Sequence, residues 1–196
     1  MKRVGLFMFA VVAIAMIFSG NALAQNVGDW STYFVTYYSN NVSGAPDNTV
    51  RFINDGDTGW PLYADIYVFD DSQELQACGA CEITPDGLLS EDVKTQLTNN
   101  PVTGRVPTRG VIKVVSDSVG NPTWFTATAG LRGFATHIQS SNNTNKGATY
   151  STTETPVADS NLSEGETSLL ENLCYYAGLL GSGQGTISCT AEDHDF

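Results

Sequence analysis

The stretch Leu62-Tyr63-Ala64-Asp65-Ile66-Tyr67-Val68-Phe69-Asp70 decides the fold. On an extended chain its side chains alternate, so Ala64, Ile66 and Val68 share one face while Tyr63, Asp65 and Tyr67 share the other. The pattern predicts a half-buried strand over Leu62–Phe69, with the aliphatic face toward a core. Working outward, similar short runs predict strands near Tyr33–Tyr38, Thr49–Asn54, Leu75–Thr84, Gly110–Ser116, Thr123–Thr128, Leu131–Gln139 and Ala148–Thr153. Asn54-Asp55-Gly56-Asp57 and Pro85-Asp86-Gly87 supply turns between them. Two-faced strands need a second layer over the apolar side, so the expected architecture is mainly β: an Ig-like antiparallel β-sandwich.

One helix interrupts the strands. Ser163 and Glu166 have capping-box spacing, and Leu169, Leu170, Leu173, Cys174, Ala177 and Leu180 form an apolar stripe over about 164–180. Gly181-Ser182-Gly183 ends it. The stripe must pack against a face or an end of the sandwich, with a short final strand following at about 186–190. Leu88–Leu97 reads as a helical turn or two within an irregular excursion to Arg109, and Ser140–Lys146 as a polar loop.

Lys2-Arg3, the 15-residue apolar run Val4–Phe18 and the exit Ala22-Leu23-Ala24 have the order of a secretory signal peptide over residues 1–24. That run is shorter than the roughly 20 residues of a membrane-spanning helix. Residues 25–196 then form a single secreted domain, destined for the periplasm, the outer surface or the medium. The exported chain retains seven cations against 21 anions, a formal net charge of −14. Without a basic cluster, it offers nothing to neutralise phosphates, which excludes a nucleic-acid role.

Four cysteines in an exported chain predict two disulfides among Cys78, Cys81, Cys174 and Cys189. Three pairings exist, and locality favours Cys78–Cys81 with Cys174–Cys189. The Cys78-Gly79-Ala80-Cys81 pair also admits a thiol–disulfide redox role, which the extended, turn-bounded surroundings disfavour because no helix follows to stabilise a thiolate.

Catalytic patterns are weak throughout. A serine or cysteine nucleophile needs an imidazole, and only His137 and His194 exist. Asp70 and Asp71 are adjacent on the chain and point apart, so they read as turn residues rather than facing carboxylates. Gly181-x-Gly183-x-Gly185 follows a helix instead of opening one, unlike a phosphate loop. Asp55 and Asp57 have the alternate spacing of calcium ligands, without the rest of an EF-hand. Tyr33, Tyr37, Tyr38, Tyr63 and Tyr67 are either core or a stacking surface for glycans, with Tyr63 and Tyr67 the candidates for ligand stacking. No cofactor is expected, calcium at Asp55/Asp57 aside. The partners in view are a protein, a glycan, or a second copy joined through a sheet edge, with Gln25–Ser39 as a candidate donor strand.

The runs Ile66–Glu74, Cys78–Cys81, Thr84–Leu88, Gly110–Ser116, Thr136–Gln139 and Gly181–Gly185 before the last cysteine resemble a group of predicted secreted proteins of soil bacteria with no assigned activity. The resemblance covers about Thr49 to Cys189 and implies export; it carries over no catalytic residue. The expectation is a secreted, non-catalytic β-sandwich module with a structural, adhesive or surface-interaction role. The alternatives are a redox protein using the Cys78/Cys81 pair, or a glycan- or calcium-binding module.

Overall fold

The computed structural model describes residues 31–40, 44–98, 106–143 and 147–180, together with 187 and 189. Nine strands form two antiparallel sheets: β1 (Tyr33–Ser39), β2 (Thr49–Asn54), β3 (Leu62–Asp70), β4 (Leu75–Ile83), β5 (Leu88–Asp92), β6 (Arg109–Asp117), β7 (Leu131–Asn143), β8 (Gly147–Pro156) and β9 (Ala158–Asp159). One sheet has the order β4-β3-β6-β1-β9, the other β5-β2-β7-β8. Among the described residues a single α-helix, α1 (Glu164–Leu180), follows β9. The predicted signal peptide lies outside the described residues, as does most of the predicted final strand.

The two sheets close on a shared core. Ala64, Ile66 and Val68 of β3 meet it together with Ile112 and Val114 of β6, Phe34 of β1, Val50 and Phe52 of β2, and Leu131 and Ala135 of β7. Phe34 and Phe52 cross from one sheet to the other edge-to-face, with ring centroids 5.8 Å apart. This is the sandwich expected from alternation.

The opposite face of β3 departs from the expectation of a solvated side. Tyr67 is fully buried, and with Tyr33, Phe69, Cys78, Val115 and Phe125 it forms a second apolar cluster against Leu170 and Cys174 of α1. The five-stranded sheet is therefore covered on both faces, by the other sheet and by the helix. Of the apolar stripe of α1, Leu170 and Cys174 are buried here with Leu173 and Ala177 partly buried beside them, whereas Leu169 and Leu180 remain exposed. The Ser163 hydroxyl accepts the Glu166 amide at 3.2 Å, as the capping box predicts.

Two local expectations are corrected. Within Leu88–Leu97 the helical turn is confined to Val93–Leu97, as a π-helical turn, and Leu88–Asp92 is strand β5, paired with β2. Its apolar residues pair across a sheet edge, a contact that local propensity does not register. Thr123–Thr128 is not a strand but part of the loop between β6 and β7, whose backbone pairs with β6 at one isolated bridge, Asp117 to Ala127. β1 lies within its own sheet, hydrogen-bonded to β6 along Tyr33–Ser39 and to β9 at Phe34 and Val35. No helix among the described residues is long and apolar enough to cross a membrane.

The cysteine pairing also differs from the local expectation. The bridges are Cys78–Cys174 and Cys81–Cys189, with Cα separations of 5.8 and 5.4 Å. Cys78 and Cys81 both lie within β4, where three residues of extended chain span roughly 10 Å, beyond the ~7 Å that a disulfide tolerates. An odd spacing also sends their side chains to opposite faces. Cys78 points at α1 and Cys81 at the inter-sheet core.

Candidate functional site

The residues most out of keeping with their surroundings lie on the helix side of the five-stranded sheet. In the β3–β6 ladder Asp65 stands opposite Val115 and Tyr63 opposite Asp117, so Asp65 and Asp117 share a face and lie diagonally across the pair. Both are fully buried. Asp117 is richly solvated by backbone: its Oδ2 accepts the amides of Gly120 at 2.5 Å and Asn121 at 3.4 Å, and its Oδ1 accepts that of Thr126 at 2.6 Å. Among the described residues, neither oxygen of Asp65 has a donor in reach. A carboxyl group in that position holds its proton. Burial, then the charge of Asp117 and a hydrogen bond to it, push Asp65 up to about 8.

Over this pair runs the loop 118–130, here termed the strap. Asp117 gathers its first turn and Thr126. The Tyr67 hydroxyl donates to the carbonyl of Pro122 at 2.7 Å, and Phe125 packs into the cluster beneath α1. The Phe125 amide reaches Glu171 of the helix at 3.4 Å. Burial first, then the charges of Asp65, Glu171 and Asp117, raises the Tyr67 phenol well above its ordinary range, so it remains a donor. Trp124 on the strap is 64% exposed, and Trp60, just before β3, is 57% exposed. A Cβ at Gly120 would meet the Tyr63 ring at 2.6 Å, so the start of the strap lies against that tyrosine with no side chain between.

Beside this cluster, Glu166 of α1 accepts the Tyr33 hydroxyl at 2.9 Å and the Lys113 ammonium at 2.5 Å on one oxygen. Lys113 also stands 5.0 Å above the Phe69 ring. Burial and Glu166 raise the Tyr33 phenol. These contacts join β1, β6 and the helix into one packed unit.

The residues singled out from sequence are dispersed. Asp55 and Asp57 form a turn in which the Asp57 amide donates to Asp55 Oδ1 at 3.1 Å, while Asp55 Oδ2 pairs with Arg132 at 3.2 Å. Among the described residues, no group of three His, Cys, Asp or Glu stands close enough to hold a metal ion. Tyr67 is buried and so is withdrawn from any stacking surface. Tyr63 keeps partial exposure, with its hydroxyl 3.4 Å from Glu82. Tyr33 and Tyr38 are buried, whereas Tyr37 is exposed and stacks on His137 with centroids 4.2 Å apart. Burial lowers the His137 pKa. Asp70 builds the β3–β4 turn, its Oδ1 accepting the Ser72 and Glu74 amides at 2.9 and 3.0 Å. His194 and Gly181–Gly185 lie outside the described residues.

The Cys78/Cys81 pair is not a dithiol couple in this fold: each sulfur is buried on its own face and bonded elsewhere. Nor does the Asp65–Asp117 pair meet solvent, so its proton acts within the protein. Sequence reading missed this pair because Asp65 sits on the polar face of β3. The available signal was the helix stripe, which required a receiving surface, and the Tyr63/Tyr67 face was one. The chain matches no protein-family model, no curated protein and no solved structure.

Proposed function

We propose that the chain is an exported, non-catalytic β-sandwich module of the envelope or the extracellular space, acting by surface contact rather than turnover. The observation that carries this reading is the pair of disulfides rooted on opposite faces of β4, which tie the helix and the Ile187–Cys189 region to the sheet. Such bridges persist in an oxidising compartment, and they make a rigid frame. On that frame the exposed aromatic side chains Trp60, Trp124 and Tyr37 are the natural contact groups, since exposed rings on a fixed support lose little entropy when a partner stacks on them. A glycan is the partner chemistry that such rings favour in a molecule with a formal net charge of −12, which repels polyanions.

The test is retention of the purified oxidised protein on immobilised polysaccharides, alongside turnover assays with ester and glycan substrates. Retention that weakens at least tenfold in Trp60→Ala or Trp124→Ala, with no turnover, supports the reading. Turnover abolished by one substitution overturns it.

A further inference from the structure

We propose that the Asp65–Asp117 pair is a proton-operated latch that closes the strap over the helix-side face of the sheet. The latch rests on geometry. One carboxyl, Asp117, grips the strap by three backbone amides, at Gly120, Asn121 and Thr126. The other, Asp65, is fully buried beside it and has no donor of its own among the described residues, so the pair remains buried only while a proton is retained between them.

Among the described residues, the groups around Asp65 make no provision for a second negative charge. From its own strand come the phenols of Tyr63 and Tyr67; from β6, Asp117 and Lys113; from β4, Glu82 at the rim beside Tyr63; from α1, Glu171 and Glu166; and from the strap, the Pro122 carbonyl. Lys113, the cation opposite Tyr67 in the β3–β6 ladder, is engaged by Glu166. When the shared proton leaves to solvent base, two carboxylates face each other in a low-dielectric pocket with Glu171 nearby. Relief comes from admitting water, and among the described residues the strap is the cover made of loop rather than of sheet or packed helix. Opening releases the three amides from Asp117, frees the Tyr67 hydroxyl from Pro122, and displaces Trp124, which the strap carries. The proton thereby governs where one of the exposed tryptophans is presented. The latch holds whether or not those rings bind a glycan.

The experiment is hydrogen exchange on the full oxidised protein without ligand, from pH 6 to 9.5, corrected for intrinsic exchange. The expected result is that protection of the Gly120, Asn121 and Thr126 amides falls at least tenfold as pH rises through about 8, while the β3 and β6 ladder amides keep theirs. In Asp65→Asn, whose amide is neutral at every pH and donates to Asp117, the strap stays protected throughout. A flat wild-type profile, an equal fall in Asp65→Asn, or simultaneous loss across the whole sheet each overturns the latch. If Asp65→Asn does not fold, the carboxyl carbon of Asp65 is titrated by NMR in the wild-type protein. A midpoint in the ordinary carboxylate range overturns the proposal; one near 8 that coincides with strap opening supports it.

Discussion

Asp65 shows how a single side chain changes meaning when a second layer covers it. In an exposed strand face an aspartate is unremarked; beneath a helix and a strap it becomes an acid with a pKa of about 8. The native protein therefore binds a proton that the unfolded chain releases near pH 4, and the stability this contributes is present at low pH and lost as pH rises toward 8. His137, lowered by burial, works in the opposite sense as pH falls below about 6.5. Comparing wild type with Asp65→Asn removes that contribution. Urea unfolding of the two at pH 5 and pH 8 is expected to show wild-type stability dropping relative to the variant, by up to ~1.4 kcal/mol per pH unit; parallel curves would refute it. Core residues behave more simply. Phe52 is fully buried against Phe34, and Phe52→Ala is expected to cost about 3–5 kcal/mol by denaturant unfolding.

At the level of elements, β4 does the most with the fewest residues. Its Cys-Gly-Ala-Cys segment places one sulfur on each face, and the glycine between them serves a close approach. A Cβ at Gly79 would lie 2.7 Å from the Ile187 carbonyl oxygen and 2.8 Å from its Cβ, while the Ile187 amide donates to the Cys78 carbonyl at 2.7 Å. Gly79→Val is thus expected to push the 187–189 segment off the strand and leave Cys81 and Cys189 as thiols, two more than in the wild type when alkylated protein is weighed. The double variant Cys78→Ala/Cys174→Ala tests the other face. Its helix is expected to lose exchange protection at Leu170 and Cys174→Ala while the β2–β7 ladder retains its own. The capping box has a smaller share: Ser163→Ala removes one hydroxyl acceptor and is expected to cost about 1 kcal/mol.

For the molecule as a whole, the bridges close long loops, with sequence separations of 96 and 108. The chain-entropy model assigns roughly 4–5 kcal/mol to a loop of that length, compared with about 3 for the short loop that local pairing would have closed. Reduction under native conditions is accordingly expected to lower the melting temperature by more than ten degrees, measured by circular dichroism with and without reductant. A shift of only a degree or two would mean that the unfolded chain is already compact.

Alternation in Leu62–Asp70 and its neighbours sufficed to reveal a sandwich, because a two-residue period leaves no other way to bury one face of each strand. The helix was equally legible, since its cap and its stripe are local features read from residues three or four apart. What the sequence left undecided depends on which face meets which element. The cysteines were visible, but their partners followed from the parity of their spacing within β4 and from where α1 lands. β5 was hidden because its residues make sense only beside β2. The Asp65–Asp117 pair needed the β3–β6 register, the strap and the helix together, since burial and a neighbouring carboxylate, set by residues far apart in the chain, are what turn an ordinary surface acid into a proton-holding one.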